Sequence, residues 1–393
     1  MNKRFGNSIS VIGGAGHVGL PLAALLSSKI FFVTAIDKNV EQINFIKKGN
    51  NPFLEDNLPK ILKKNLKKGR IKFSEKLDEI KNTKYIIVCV GTPITNKLKP
   101  NLKNFFNLLK NIKDKVNHSH HIIIRSSIPP GTFKKIKKYF NESIKISYCP
   151  ERIAQGKSII EMPNIPQIIS AYSKNEAQDA KAVFKEICKE ILICTPEEAE
   201  MAKILSNAYR YLTFSISNEF YYLCESLNLN FEKIRRIMVK NYSRNQNLAK
   251  AGFVGGPCLM KDTMQLASIF KKRNGLLKSS YHINEGMPKF LISKIKKIKN
   301  YRKCGVLLLG LTFKPNNDDL RGSLSLKLFK LLKKNRIKNY FYDNFVIKKD
   351  ISELSNYIKN CKIIIVGTEH TFFKKVKIPK NKIMIDISGF FLN

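Results

Sequence analysis

The strongest constraint on this chain is an alternation of short β-branched runs with amphipathic helical stretches along its first 150 residues. The runs are Ser8 to Ile12, Phe31 to Ile36, Tyr85 to Val90, His121 to Arg125 and Ile144 to Cys149. Strands that are apolar throughout must be covered on both faces, and helices placed between them supply that cover. The pattern therefore implies a doubly wound parallel sheet.

From Pro196 to about Ile298 strand signals all but vanish, and helical stretches take over around Glu198 to Leu227 and Phe231 to Val239. After Tyr301 the alternation resumes with Gly305 to Leu309, Tyr340 to Tyr342, Lys362 to Val366 and Ile383 to Ile387. A chain of 393 residues is long enough for two or three separate cores. The expected fold is α/β, with two Rossmann-like doubly wound parallel-sheet domains, residues 1–195 and 299–393, joined by a central helical region, residues 196–298. A helical segment between two sheet regions is a common place for subunits to pair, and a homodimer is expected.

The formal charge of +41 raises nucleic acid or an anionic membrane as partners. The lysines, however, are scattered beside abundant Asn and Ile, as AT-rich codon usage gives. Runs such as Lys63-Lys64 and Lys67-Lys68 read as solvated helix faces. No nucleic-acid reader motif accompanies them, so neither a specific nucleic acid nor a membrane is expected as partner. A positive field would instead favour capture of a diphosphate-bearing substrate. The eight cysteines include no CxxC pair and no Cys/His cluster at metal-ligand spacing, so no metal site is expected and a reducing cytoplasm suits them. The charged N-terminus breaks at Gly13-Gly14 before an apolar targeting segment forms, and no stretch of about 18 apolar residues occurs.

Between the first strand and the first helix lies Gly13-Gly14-Ala15-Gly16-His17-Val18-Gly19. Gly14, Gly16 and Gly19 carry the G-x-G-x-x-G spacing. The first permits a tight turn, the second admits pyrophosphate to the backbone amides, and the third lets helix meet strand. His17 and Val18 complete that phosphate-facing turn. Asp37 closes the second strand 18 residues after Gly19, where a carboxylate accepts hydrogen bonds from ribose hydroxyls and repels a 2′-phosphate. NAD is the expected cofactor. The turns Gly91-Thr92-Pro93 and Ser126 to Thr132 follow two further strands and would bring Thr92 and Ser127 to the same crevice.

Gly255-Gly256-Pro257-Cys258-Leu259-Met260-Lys261-Asp262 places a cysteine after a glycine loop and at the start of a helix. A helix N-terminus favours thiolate over thiol, as a nucleophile needs, although a lone cysteine is more often structural. Asp262 would fall one turn later on the same face. Lys203 and Asn207 stand at i and i+4 of a helical stretch, where an ammonium and an amide side by side would stabilise an oxyanion; an ordinary polar helix face would read the same way.

With these motifs goes Pro150-Glu151-Arg152, and also Phe313-Lys314-Pro315-Asn316-Asn317-Asp318-Asp319-Leu320-Arg321. In their order along nearly the whole chain, the sequence resembles the UDP-glucose/GDP-mannose dehydrogenase family. The resemblance implies a nucleotide-binding C-terminal domain, a central dimer interface and a UDP-sugar substrate. It implies that Cys258 is the nucleophile and that Lys203, Asn207 and Asp262 hold the oxyanion and the hydrolytic water. It links Glu151 to thioester hydrolysis and Ser127 to positioning of water. It further implies substrate contacts from Arg152, Gly255, Gly256 and Lys314, an arginine near the cofactor in Arg321, and an arginine reaching a neighbouring subunit's substrate in Arg244. The implied reaction removes two hydrides from sugar C6 by way of a thiohemiacetal and a thioester on Cys258. The Pro-Glu-Arg form of the central motif, continuing Ile153-Ala154-Gln155-Gly156-Lys157, looks like the branch acting on UDP-N-acetylhexosamines such as UDP-N-acetylglucosamine or UDP-N-acetylmannosamine. UDP-glucose or GDP-mannose is the alternative substrate.

Several positions depart from the common family pattern. His17 stands for a frequent tyrosine, Ser127 for a threonine, Gln155 and Gly322 for glutamates, and Ser170-Ala171 for two glycines. The catalytic side chains all persist. Two rival readings remain: a two-electron alcohol dehydrogenase on the same scaffold, which would yield one NADH per sugar, and a basic nucleic-acid-binding protein, which would show salt-dependent duplex binding.

Overall fold

The computed structural model describes residues 3–140, 142–270, 275–347 and 350–392. It divides into two compact units, Met1–Leu205 and Ser206–Asn393, and the division falls inside the long helix Pro196–Ser226.

The first unit holds eight strands: β1 (Ser8–Ile12), β2 (Phe32–Ile36), β3 (Ile71–Ser74), β4 (Tyr85–Val88), β5 (His121–Ile124), β6 (Lys145–Tyr148), β7 (Gln167–Ser170) and β8 (Ile191–Cys194). Their order is β3-β2-β1-β4-β5-β6-β7-β8. The first six repeat the doubly wound Rossmann order, with its reversal of direction between β1 and β4. Every pairing is parallel except that of β6 with β7, which meet antiparallel at Tyr148 and Ser170. The sheet is therefore larger than the five runs of the sequence imply, and it turns back once.

Successive residues of the central strands feed two different cores, which is why the runs are apolar without interruption. Ile9, Val11, Ile87 and Ile123 pack on one face, whereas Ile86, Val88, Ile122 and Ile124 pack on the other. Each such side chain contributes roughly 1.5–3 kcal/mol when taken from water. The helix Gly19–Ser27 is buried along its whole length and follows β1 without a side-chain cap, its first turn being formed by the glycine segment.

In the second unit β9 (Val306–Leu309), β10 (Asn339–Tyr342), β11 (Ile363–Val366) and β12 (Ile383–Ile385) form an all-parallel sheet ordered β10-β9-β11-β12. The same alternation recurs: Val306, Leu308, Ile363 and Ile365 face one core, while Leu307, Leu309 and Ile364 face another. Tyr221, Phe231, Met287 and Leu291 of the central helices belong to the first of these cores, so those helices and this sheet share one interior. The reversal between β9 and β11 makes the loops after them the ligand-facing edge of the sheet. No helix among the described residues is long and apolar enough to cross a membrane.

Candidate active site

The glycine turn lies at the β1/β4 reversal of the first unit. Gly13 and Gly14 both donate to the carbonyl of Ile36, at 2.8 and 3.0 Å, which seats the turn on the end of β2. A Cβ on Gly14 would lie 2.7 Å from that of Ala35, and one on Gly19 would lie 2.1 Å from the Gly13 carbonyl oxygen, so the fold itself demands both glycines. Gly16 differs. A Cβ there would meet only the Gly13 carbonyl, at 3.4 Å, so the space beside it lies open to an approaching ligand. Asp37 accepts from the backbone N–H of Ala15 at 3.2 Å and of Asn39 at 3.1 Å, which fixes its carboxylate beside the turn. Open space beside a glycine, the start of a nine-residue helix and a fixed carboxylate fit the pyrophosphate and ribose of NAD.

His17 and Val18 are half-buried in that turn. The side-chain amide of Gln155 donates to His17 Nδ1 at 2.9 Å, and the His17 ring lies 4.1 Å from that of Phe53. Two departures from the family pattern thus touch each other. The Thr92 hydroxyl donates to the Ser127 carbonyl and joins the loops after β4 and β5. Glu200, which sequence reasoning passed over, accepts from Gly131 N and Phe133 N at 2.6 Å each, tying the Ser127 turn to the long helix three residues before Lys203. Burial raises the pKa of Glu200 and those N–H groups lower it, with burial the larger effect. Lys203 is 8% exposed. Glu151 is buried and accepts from the N–H groups of Arg152 and Ile153 at 2.7 and 2.9 Å, whereas the Arg152 guanidinium turns to the Pro166 carbonyl.

In the second unit Cys258 is the N-cap of the helix Leu259–Ile269, and Asp262 N donates to the Cys258 carbonyl at 2.9 Å to close the first turn. Among the eight described thiols it alone is exposed. Burial pushes Cys89 and Cys149 up to about 12, and Cys188 and Cys361 up to about 11, so these remain protonated and inert. The Asn207 amide donates to Asp262 Oδ2 at 2.6 Å, and Lys261 Nζ lies 2.6 Å from Asp262 Oδ1.

Gly255 and Gly256 are held against the backbone of Gly322. Gly256 N donates to the Gly322 carbonyl at 3.1 Å, and a Cβ on Gly255 would come within 2.7 Å of that oxygen. Gly322 itself has φ +64°, and a Cβ there would lie 2.9 Å from the Gly256 carbonyl oxygen. The glutamate usual at this position would not fit so closely packed a backbone. Arg321 is bound through Nε and Nη2 to Asp319, which raises its pKa above the ordinary guanidinium value, and the negative charge of a Cys258 thiolate adds to that shift.

Lys314 lies in the loop after β9, its ammonium 5.8 Å from the Phe313 ring centre. The start of this loop is clamped by the buried Asp343, which accepts from Leu311 N at 2.6 Å and from His370 Nε2 at 3.1 Å; Asn316 N donates to His370 Nδ1 at 2.9 Å. Arg244 stands exposed in the turn Ser243–Asn245, its guanidinium directed at Tyr242. The structure therefore joins Cys258, Asp262 and Asn207 in one unit, and it joins Thr92 with Ser127 and Glu151 with Arg152 in the other. No group of three or more His, Cys, Asp or Glu side chains among the described residues could hold a metal ion.

A dinucleotide turn at one Rossmann reversal, a basic loop at the reversal of a second sheet and an exposed thiol at a helix N-terminus define an oxidoreductase of the NAD-dependent class. Models of the UDP-glucose/GDP-mannose dehydrogenase family match the chain as its NAD binding domain over residues 7–188, its central domain over 197–286 and its UDP binding domain over 307–392. The chain belongs to this family and is an NAD-dependent nucleotide-sugar dehydrogenase. It is 27% identical to the UDP-N-acetyl-D-mannosamine dehydrogenase of Pyrococcus horikoshii, over 95% of this chain and 93% of the relative. The solved structure of the UDP-D-ManNAc dehydrogenase from that organism superposes with a TM-score of 0.88 at 25% identity, over 97% of this chain and 99% of the other. A UDP-glucose 6-dehydrogenase of Bacillus subtilis is 29% identical over 81% of this chain and 75% of its own.

Proposed function

We propose that this enzyme oxidises the C6 alcohol of a UDP-N-acetylhexosamine to the uronic acid in two successive oxidations, with Cys258 as covalent catalyst. The observation that carries the reading is the exposed thiol at a helix N-terminus, one turn before a buried Asp262 that accepts from Asn207. The mannosamine-type relatives and the Pro150-Glu151-Arg152 motif support the N-acetylhexosamine substrate. The Bacillus relative favours UDP-glucose as the second reading.

NAD, held by the glycine turn and Asp37, would supply the hydride acceptor for each oxidation, and the first oxidation also releases the alcohol proton to give the aldehyde. The chain's residues do the rest. Cys258, exposed at the helix N-terminus, presents its sulfur to the sugar C6. Its sulfur adds to the aldehyde carbon while the carbonyl electron pair moves to oxygen, which takes a proton, giving a thiohemiacetal. Loss of hydride from carbon and of the hydroxyl proton gives the thioester. Water then adds and loses a proton to solvent, the C–S bond breaks, and the acid and the thiolate are released. Lys203 and Asn207 are assigned to the oxyanion, and Asp262 and Ser127 to the water, with Glu151 serving the hydrolysis step. Gly14, Gly16, His17, Val18, Gly19, Asp37 and Thr92 are assigned to NAD. Lys314, Arg152, Gly255 and Gly256 are assigned to the UDP-sugar.

The long helix supports a homodimer formed through the central segment, residues 196–298. Tyr209, Ile216, Phe220 and Leu223 recur at helical spacing on it and are between 37% and 61% exposed, a stripe suited to a second copy of itself. Exposed Arg244 is then available to a partner's substrate. An exposed nucleophilic thiol among unpaired cysteines suits the reducing cytoplasm. The test incubates purified protein and NAD with a panel of UDP- and GDP-sugars, following reduced nicotinamide and identifying products by mass spectrometry. The expected result is two NADH and one uronic acid per UDP-N-acetylhexosamine. One NADH per sugar with aldehyde as product overturns the mechanism, and preferential turnover of UDP-glucose overturns the substrate.

A further inference from the structure

Arg125 has no role in the reaction as described, yet it heads the largest fully buried side chains of the described residues. It follows β5 directly, with none of its side chain exposed. A guanidinium keeps its proton, so its charge has to be compensated where it sits. It donates to the Cys149 carbonyl at 3.2 Å, to Gln167 Oε1 at 2.9 Å and to Glu151 Oε2, and it lies 5.1 Å from the Phe184 ring centre. Of these partners only Glu151 carries charge.

Both oxygens of Glu151 are thereby engaged. Oε2 receives Arg125, and Oε1 receives the N–H groups of Arg152 and Ile153. The other titratable groups around the pair do not compensate either charge at neutral pH. Cys89 and Cys149 are pushed by burial up to about 12 and Cys188 up to about 11. Arg152 faces the Pro166 carbonyl, and Glu161 accepts from Ala154 N at 2.6 Å.

We propose that Arg125 is a positioning residue that holds the Glu151 carboxylate in place, so that Glu151 serves thioester hydrolysis by holding the Pro150–Ile153 turn in shape and not by accepting a proton from water. A general base must tolerate protonation. Protonating Glu151 would instead strand a guanidinium in the core. The inference rests on the thioester mechanism proposed above.

The test first counts NADH per sugar for the wild type, because one or none there means that the mechanism itself has failed. Acid formation is then followed against pH for wild type, Arg125→Lys, Arg125→Met and Glu151→Gln. Arg125→Met leaves a buried carboxylate without its cation, so its profile gains an acid limb shifted upward, and about tenfold of activity is lost per unit of pH below the new pKa. Arg125→Lys keeps the wild-type profile. Glu151→Gln turns over more slowly with two NADH per sugar and an unmoved acid limb. If Arg125→Met unfolds, the Arg125→Met/Glu151→Gln protein, which removes both charges, regains the thermal midpoint lost in the single variant. A wild-type acid limb that disappears in Glu151→Gln, an unaltered profile in Arg125→Met, or a double variant no more stable than Arg125→Met overturns the proposal.

Discussion

The Asn207 amide and the Asp262 carboxylate, 55 residues apart in sequence, meet at 2.6 Å, with Asp262 fully buried and Asn207 8% exposed. A buried carboxylate oxygen that loses its donor costs about 1–3 kcal/mol of stability. In an oxyanion site the loss of one donor costs about 10²–10³ in kcat. Asn207→Ala is therefore expected to lower kcat for acid formation by about two orders of magnitude while leaving KM for the sugar within a few-fold, and to lower the thermal midpoint. Steady-state kinetics and calorimetry check it. A large rise in KM at constant kcat would instead make Asn207 a ground-state binding residue.

Cys258 should react first with an alkylating reagent. Its thiol is exposed at a helix N-terminus, whereas Cys89, Cys149, Cys188 and Cys361 are held protonated by burial. Iodoacetamide on the native protein, followed by peptide mass spectrometry, should label Cys258 ahead of those four and abolish acid formation in parallel. Cys258→Ala should form no acid at all. Equal labelling of the buried thiols would show that the packing around them is not as described.

His17 and Gln155 should behave as a coupled pair. Each departs from the family pattern, and they make one 2.9 Å hydrogen bond between the glycine turn and the loop after β6. Removing either partner should weaken NAD binding about fivefold, the equivalent of about 1 kcal/mol. Removing both should cost little more than removing one. Calorimetric NAD titrations of His17→Ala, Gln155→Ala and the double variant decide this, and strictly additive losses would show that the contact transmits nothing.

What could be read in advance follows from how local each signal is. β4 and β5 announce themselves because both faces of each are buried. Gln167–Ser170 escapes notice because only two apolar residues stand between polar ends, and Ile191–Cys194 because Leu192 and Ile193 are exposed and no face of it is buried. Ile71–Ser74 shows only two buried apolar positions with an exposed lysine between them. The antiparallel contact of β6 with β7 has no local signature, since it rests on the path of the intervening chain. The glycine turn and Cys258 are legible because each chemistry-bearing residue sits beside the turn or helix start that serves it. The partners of Glu200 lie 67 and 69 residues away and those of Arg125 lie 24, 26 and 42 away, so no motif marks them.

His121 makes the protein acid-sensitive in a defined window. It is 1% exposed, and burial pushes its pKa down to about 3, with Asp179 partly opposing the shift. Ser147 spends its hydroxyl proton on the Glu176 carbonyl at 3.1 Å, so His121 Nε2, 2.7 Å from that hydroxyl, is the donor. In the unfolded chain the imidazole has a pKa of about 6.5. Between these values the unfolded state binds more protons than the folded one, so stability falls as pH drops through this interval. The slope from this residue approaches about 1.4 kcal/mol per pH unit, and above about pH 6.5 the contribution is flat. Urea unfolding of wild type and His121→Gln at pH 7.5, 6, 5 and 4, values chosen to span about the titration interval, measures the difference. The wild type should lose stability more steeply with acid than the variant, and parallel pH dependences would show that His121 is not held neutral by the fold.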